Sequence, residues 1–271
     1  MGTAILKGLL DASKSSSSKV TCTAAVRGGA SMKRLENTLG EHFASVDCTT
    51  DFAKASQNAD VVMLGVPPGE LRSLLEVKGV ASSLEGKTII SLLAGVTCAD
   101  IISALKEFSG DDNGASFQVL RAIPSMGALS QKSVTFVSKS SSLEEERSRM
   151  CDWIFGQIGE VIHFPESQMN EATAAGAVCH ALACVAVDAV TDASVAEGLS
   201  RSTALSLAAK ALASAAGMLA DGMSPETLKE SMSVPFGITT NAFLELDSRN
   251  VRSGISGTTR HAIKYARSMD K

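Results

Sequence analysis

The chain has 271 residues, of which 45% are hydrophobic and 20% charged, with a net charge of −4. This length accommodates two domains with cores of their own, and the acidic balance argues against nucleic acid or an anionic membrane as a partner. The six cysteines form no C-x-x-C pair and no disulfide framework, so we expect reduced, mostly buried thiols in a cytoplasmic protein and no metal site. Lys7 interrupts the apolar start, which therefore does not resemble a signal peptide.

The first part of the chain alternates between strand and helix signals. Residues 1–10 predict an amphipathic helix, followed by a serine-rich loop at 13–18. Strands are predicted at residues 20–26, 45–48, 60–66, 87–93 and 117–123. Helices are predicted between them at 32–39, 52–58, 68–77 and 97–108. This alternation, with the continuous apolar runs VVMLGV and TIISLL, predicts a parallel sheet covered on both faces.

Two further strands, at residues 134–137 and 161–164, flank a predicted helix at 143–158 and close the sheet. After Pro165 the pattern is purely helical. We therefore predict an α/β domain over residues 1–164, with a Rossmann-like parallel sheet, and an all-α dimerisation and substrate domain over residues 165–271.

Residues 169–218 predict two long buried helices rich in alanine, valine and leucine. The longest charge-free run, 172–187, is shorter than the roughly 20 residues that a membrane span needs. Asp188 and Asp192 lie one turn apart, as expected where a buried helix meets a polar pocket or a helix terminus. The second helix has apolar residues at heptad spacing, which are Leu205, Leu212 and Leu219.

Ligands of doubly wound sheets bind at the carboxyl ends of the strands. Arg27 follows the first predicted strand at the position where folds that prefer NAD carry an acidic residue, and Lys33 and Arg34 follow it. A basic residue here favours the 2′-phosphate of NADP, although a solvated basic loop would give the same pattern.

A nucleotide-binding sheet needs a strand and a glycine-rich turn ahead of its first helix, and this chain begins inside that helix at Met1-Gly2. Because that strand is central, its absence predicts a gap in the sheet. We therefore expect either that the native N-terminus lies upstream or that a dinucleotide is not bound in the usual way.

Several segments match the motifs of one enzyme family, in order and at matching spacing. Residues 1–5 are similar to the tail of a glycine-rich opening, 89–96 (IISLLAGV) to a strand ending in Ala-Gly-Val, and 119–125 (VLRAIPS) to an Arg-x-Met-Pro-Asn segment. In the helical part, 198–201 resemble a Gly-Leu-Pro-Arg turn and 234–239 (VPFGIT) a Ser-Pro-Gly-Gly-x-Thr signature. Together these segments resemble the pyrroline-5-carboxylate reductases, NAD(P)H-dependent enzymes of the last step of proline synthesis.

The resemblance implies a site for each ligand. NADPH, or NADH, would contact positions around the strand ends: Gly2, Arg27, Val66, Pro67, Ala94 and Gly95. A cyclic imine carboxylate would meet Thr239, whose hydroxyl would hydrogen-bond the imine nitrogen. Further substrate-binding positions are Val234, Gly237, Thr240, Cys179 and His180. The family also implies a homodimer or larger homo-oligomer built from the helical domain.

Several positions depart from the family pattern. The family's Ala-Val-Lys-Pro stands here as Gly65-Val66-Pro67-Pro68, and signature Ser and Gly are replaced by Val234 and Phe236. A protein that binds another small molecule without redox chemistry is therefore the alternative. Structural roles also stay open for four residues. Thr239 would otherwise cap a helix, His180 would be a core histidine rather than a general acid, and Cys179 and Cys184 would only pack.

Overall fold

The computed structural model describes residues 1–15, 20–110, 117–139 and 145–268. The chain divides into two units. Unit 1 contains Met1–Thr173 with the C-terminal residues from Ala266, and unit 2 contains Ala174–Tyr265. Residues 16–18 of the predicted serine-rich loop and the start of the predicted helix at 143 lie outside the described residues, whereas residues 13–15 belong to the first helix rather than to a loop.

Unit 1 contains seven strands in its described residues, arranged in two sheets. The strands are β1 (Cys22–Ala25), β2 (Val46–Thr49), β3 (Val61–Leu64), β4 (Thr88–Ser91), β5 (Gln118–Pro124), β6 (Ser133–Lys139) and β7 (Gly159–Pro165). β1 pairs only with β2, whereas β3 to β7 form a second sheet in sequential order. The predicted gap is therefore present between the two sheets, and the predicted α/β class with a Rossmann-like sheet is confirmed.

Two strands, β6 and β7, run against the expected direction. β5 and β6 are antiparallel, whereas the other paired strands are parallel. Only residues 125–132 connect them, and a parallel crossover needs a dozen or more residues. This connection contains a 3₁₀ turn, Met126–Ser130, so the chain reverses and pairs back on the edge it has just left.

Helices cover both faces of the larger sheet. In unit 1 the helices are α1 (Gly2–Ser15), α2 (Gly29–Leu39), α3 (Phe52–Gln57), α4 (Leu71–Leu75), α5 (Val80–Ser83), α6 (Cys98–Ser109) and α7 (Glu145–Gly156). One buried core joins α4, α5 and α6 to the sheet, and a second joins α1 and α7 to its other face. α1 approaches so closely that a Cβ at Gly8 would lie 2.5 Å from Ile158 Cγ2. A third, smaller core joins α1 and α2 to β1 and β2.

Local sequence explains where the helices begin. Thr97 and Asp100 form a reciprocal capping box at the start of α6, and Asp51 caps α3 by accepting from the Lys54 N–H. Pro67 and Pro68 delay the predicted helix at 68–77. A 3₁₀ turn, Pro68–Glu70, forms first, and α4 starts only at Leu71.

The remaining helices belong wholly or mainly to unit 2. They are α8 (Met169–Ala196), α9 (Arg201–Ala220), α10 (Pro225–Ser231), α11 (Ile238–Ser248) and α12 (Val251–Ser268). Ser200 and Ser224 cap α9 and α10 with their hydroxyls. The helices at Glu166–Ala196 and Arg201–Ala220 are long and apolar enough to cross a membrane, judged by length and composition alone. The length of the charge-free run 172–187 had argued against a membrane span.

The expectation that α8 and α9 are buried is wrong for the single chain. Val185 is 66% exposed, and the heptad residues Leu205, Leu212 and Leu219 are 50%, 40% and 39% exposed. Asp192 does not face a buried pocket either, because it forms an exposed ion pair of 2.7 Å with Arg201. Apolar periodicity identified the helices correctly, but it does not distinguish a face covered by the same chain from one that another molecule covers.

Candidate functional site

The predicted cofactor residues follow strand ends in unit 1. Arg27 comes two residues after β1, Val66 and Pro67 follow β3, and Ala94 and Gly95 form the turn after β4. Because β3 and β4 are parallel neighbours, their two loops lie at the same edge of the sheet. Gly95 has a φ of +73°, a left-handed conformation that glycine adopts without strain.

An ion pair brings the loop after β1 to the loop after β3. Arg27 Nη2 contacts Glu70 Oε2, which belongs to the 3₁₀ turn that follows Pro67. Sequence reasoning missed Glu70, since the two residues are 43 positions apart and no motif links them. The pair is solvent-exposed, so we expect Arg27 to exchange Glu70 for a phosphate at a cost below about 1 kcal/mol.

Gly2 occupies the first turn of α1. The N–H groups of Ala4 and Ile5 donate to the Met1 carbonyl, so the first turn of the helix is closed on Met1. Among the described residues, Gly2 makes no hydrogen bond to Arg27, Val66, Pro67, Ala94 or Gly95. The structure therefore places the strand-end positions at one edge of the sheets and gives no described hydrogen bond between them and Gly2.

A buried charged cluster links β5 to the start of α6. Arg121 on β5 is 1% exposed, and its guanidinium donates to Glu166 Oε1 at 3.1 Å and to Asn170 Oδ1 at 2.9 Å. Glu166 Oε1 also accepts from the Cys98 N–H at the start of α6, 3.1 Å away. One carboxylate therefore joins β5, α6 and the turn that leads into α8.

The cluster residue Cys98 does not suit nucleophilic chemistry. Burial, with a smaller contribution from the Glu166 charge, raises the pKa of the Cys98 thiol to about 11. Burial likewise raises the pKa of the Cys151 thiol to about 12. Both thiols are therefore protonated near neutral pH, which agrees with a structural role.

The predicted substrate residues of unit 2 gather at the start of α11. Gly237 is the N-cap, its N–H donates to the Val234 carbonyl at 2.9 Å, and the Thr240 hydroxyl donates to the same carbonyl at 3.0 Å. These two bonds close a tight loop over residues 234–237. A Cβ at Gly237 would lie 2.7 Å from Val234 Cγ2, so only glycine fits there without rearrangement.

Thr239 lies in the first turn of α11 and does not cap it. No residue that the structure describes hydrogen-bonds its hydroxyl, and none accepts from the N–H groups of Ile238, Thr239 or Thr240. Unpaired N–H groups at a helix N-terminus attract an anion, because the helix dipole and the donors act together. The arrangement is thus suited to a carboxylate beside one free hydroxyl.

Two large apolar side chains surround this helix terminus. Phe236 is fully exposed and has a φ of +60°, and Val234 is 57% exposed. A left-handed backbone is unfavourable for phenylalanine by roughly 1 kcal/mol relative to glycine. The loop therefore keeps a conformation that suits glycine while presenting an aromatic ring.

Cys179 and His180 lie in the middle of α8. His180 Nδ1 is 2.9 Å from the Gly176 carbonyl, within the same helix, and its side chain is exposed in the single chain. Cys179 and Cys184 are also exposed, so the expectation of mostly buried thiols is wrong, with only Cys22 and Cys151 fully buried. No hydrogen bond or ion pair in the described residues joins these α8 positions to the loop before α11.

Two family models match the chain. The model for pyrroline-5-carboxylate reductase dimerisation matches residues 166–269, and the model for NADP oxidoreductase, coenzyme F420-dependent, matches residues 1–95. The first match contains the α11 terminus and the apolar helices. The second contains the strand ends after β1, β3 and β4.

Whole-chain comparisons agree with these matches. A pyrroline-5-carboxylate reductase of Lophium arboricola is 30% identical, over 100% of this chain and 91% of the relative. A solved pyrroline-5-carboxylate reductase of Coxiella burnetii aligns with a TM-score of 0.84 at 22% identity, over 100% of this chain and 95% of that one. The Plasmodium falciparum pyrroline carboxylate reductase with NADP bound aligns with a TM-score of 0.77 at 18% identity, over 100% and 95%. On the strength of the full-length relative, whose likeness spans both units, this chain belongs to the pyrroline-5-carboxylate reductase family.

Proposed function

We propose that the protein reduces a cyclic imine carboxylate, pyrroline-5-carboxylate or a close analogue, to the saturated ring with NADPH. The observation that carries this proposal is the start of α11, where three free N–H groups stand beside the free hydroxyl of Thr239. A five-membered imine with a ring carboxylate presents an anion and a nitrogen a few bonds apart. The carboxylate of the substrate therefore matches the free N–H groups, and its ring nitrogen matches the Thr239 hydroxyl.

The chain's own residues orient the substrate. The N–H groups of Ile238, Thr239 and Thr240 hold the carboxylate, and the Thr239 hydroxyl donates a hydrogen bond to the ring nitrogen. Gly237 does not share this task, since its N–H is already bonded to the Val234 carbonyl. Reduction requires a hydride at the imine carbon and a proton at the nitrogen, and the cofactor supplies the hydride when it is bound.

The strand ends of unit 1 fit a dinucleotide. Arg27 would contact the 2′-phosphate after leaving Glu70, and the turn at Ala94 and Gly95 allows a close backbone approach. Val66 and Pro67 would line the nicotinamide side without a cationic group, and Pro67 adds no N–H donor. This assignment favours NADPH over NADH, because a cation rather than a carboxylate follows β1.

Thr239→Ala tests the role of the hydroxyl. We expect kcat/KM for the imine to fall by about 10- to 100-fold, the scale of one lost transition-state hydrogen bond. Thr239→Ser keeps the hydroxyl and should restore most of the activity. Thr203→Ala, in the first turn of α9, is the control for a threonine change elsewhere in unit 2. An unchanged rate for Thr239→Ala would remove this residue from the mechanism.

A binding protein without redox chemistry is the second candidate. It is favoured by the break in the nucleotide-binding sheet and by the apolar Val234 and Phe236 beside the α11 terminus. Titration of the chain with NADPH, followed by fluorescence, separates the candidates. A low-micromolar Kd would contradict this second reading, whereas no binding up to millimolar NADPH would contradict the reductase.

We further propose that the chain forms a homodimer or larger homo-oligomer through unit 2. Large apolar side chains on α8, α9 and α11 are exposed in one copy, among them Val185, Leu207 and Leu244, and such faces bind a partner. The name of the matching dimerisation family supports the same assembly. A monomer at micromolar concentration in analytical ultracentrifugation would contradict it.

A cytoplasmic location is proposed as well. All six cysteines are free in the structure, as expected of a protein in a reducing compartment. Microscopy of the tagged protein tests this location, and a membrane or secreted signal would contradict it.

A further inference from the structure

Three apolar side chains border the start of α11 and are mostly open to solvent. Phe236 is fully exposed, Ile238 is 90% exposed and Val234 is 57% exposed. The side chain of Val234 lies over the helix terminus, since a Cβ added at Gly237 would be 2.7 Å from Val234 Cγ2. Apolar groups therefore stand next to the N–H groups that are assigned to the substrate carboxylate.

Phe236 holds a backbone conformation that its side chain disfavours. Among the described residues, the other non-glycine residues with a positive φ are Gln131 and Asn250. Asparagine tolerates this region, whereas a bulky aromatic residue there is an outlier, and such strain persists where a function depends on it. Because the Phe236 side chain is fully exposed, packing within the single chain does not compensate for the strain. The ring is thus placed for contact with another molecule.

The polar side chains that follow are engaged within the same loop. The Thr240 hydroxyl donates to the Val234 carbonyl at 3.0 Å, and the Asn241 side-chain amide donates to the Gly237 carbonyl at 3.0 Å. With the Thr239 hydroxyl assigned to the ring nitrogen, the border of the site is formed by apolar side chains. A hydroxyl group placed against them would lose hydration without gaining a hydrogen bond, whereas an alkyl group would gain from burial.

We propose that the preferred substrate is a cyclic imine carboxylate with an alkyl substituent on a ring carbon, and that this substituent packs against Phe236, Val234 and Ile238. The inference rests on the proposed function and names the substrate class of the same site. A five-membered imine has two ring carbons that neither accept the hydride nor carry the carboxylate, and the substituent is on one of these. Each buried carbon should strengthen binding by about 4-fold, which corresponds to about 0.8 kcal/mol per CH₂ group.

Steady-state kinetics with NADPH tests this preference. The substrates are pyrroline-5-carboxylate and its derivatives with a methyl or an ethyl group on either of the two ring carbons. We expect kcat/KM to rise by about 4-fold per added carbon in the better of the two series. Phe236→Gly should remove most of this gain, and it suits the positive φ, so the loop should keep its shape. Phe236→Leu keeps an apolar side chain and should retain most of the gain.

Leu246→Ala is the matched control, because Leu246 is a 48% exposed apolar residue of the same helix, outside the loop. We expect it to leave the ratio of the kcat/KM values for alkylated and plain substrates unchanged. Circular dichroism checks that each variant is folded.

Calorimetric titration with saturated rings tests the same contact without NADPH and without turnover. The ligands are L-proline, the 3- and 4-methyl-L-prolines and the 3- and 4-hydroxy-L-prolines, in which the added groups are similar in size. We expect one methyl compound to bind about 4-fold more tightly than L-proline, and the hydroxy compounds to bind no more tightly than L-proline.

Equal affinity for the plain and methylated rings, or no binding of any of these ligands, would overturn the proposal. A kinetic gain that Phe236→Gly retains would overturn it as well. If Phe236 instead packs against a second copy of the chain, Phe236→Gly will lower the sedimentation coefficient, whereas we expect no change. Failure to reduce any cyclic imine with NADPH would contradict the proposed function, and the titration would still decide this inference.

Discussion

Replacing Arg121 with methionine tests the buried cluster in unit 1. The substitution removes two hydrogen bonds, to Glu166 at 3.1 Å and to Asn170 at 2.9 Å, from a side chain that is 1% exposed. It keeps most of the volume of the aliphatic stem, so the loss is mainly electrostatic. Breaking a buried ion pair typically costs 3–5 kcal/mol. Because the Glu166 side chain is 31% exposed and regains some hydration, we expect about 3 kcal/mol.

Urea unfolding measures this loss. The single tryptophan, Trp153 on α7, reports on unit 1 alone. With a slope of about 2 kcal/mol per molar urea, the midpoint should fall by about 1.5 M. Arg149→Met is the matched control, since Arg149 pairs with Glu145 in the same unit but both side chains are over 70% exposed, and we expect less than about 0.5 kcal/mol.

A double variant separates charge from packing. Glu166→Gln still offers an oxygen to the Cys98 N–H, so combining it with Arg121→Met leaves no unpaired carboxylate and should recover at least about 1 kcal/mol. If Arg121→Met shifts the midpoint no more than Arg149→Met does, the cluster does not stabilise unit 1. If the double variant is no more stable than Arg121→Met, the unpaired carboxylate is not the cause.

Three further predictions concern the cofactor, the assembly and pH. Glu70→Gln should lower the KM for NADPH, because it frees Arg27 from its ion pair. The KM for NADH should not change, and equal shifts of the two KM values in steady-state assays would contradict this prediction. Leu205→Asp should dissociate the oligomer in sedimentation velocity, whereas an unchanged sedimentation coefficient would place the interface elsewhere. Burial raises the pKa of Cys98 to about 11 and of Cys151 to about 12, from 9.0. Stability should therefore be full below pH 9 and fall as pH rises toward these values, and Cys151→Ala should flatten that fall in urea midpoints.

The strands and the larger helices could be predicted from sequence because their signals are local. Each observed strand overlaps its predicted range, and the helix predicted at 97–108 begins within one residue of α6. The gap in the sheet was also predictable, since a doubly wound sheet has a fixed strand order and the first predicted strand follows a helix.

Features that depend on distant partners could not be predicted. No local pattern links Arg27 to Glu70, or Arg121 to Glu166, because each pair forms only after the loops have been placed by the sheet. The reversed direction of β6 and β7 was missed because strand composition carries no direction. The exposure of α8 and α9 was missed because a face covered by a partner and a face covered by the same chain have the same composition.

At the loop before α11, the hydrogen bonds that close the backbone do not use the side chains of residues 234 and 236. The Gly237 N–H and the Thr240 hydroxyl both bond the Val234 carbonyl, and neither bond involves the side chain of Val234 or Phe236. Residues 234 and 236 are therefore free to change in the course of evolution without rebuilding the helix terminus that they flank. A lineage could alter the ring substituents that it accepts by single substitutions at these two positions, with Phe236→Gly even relieving backbone strain.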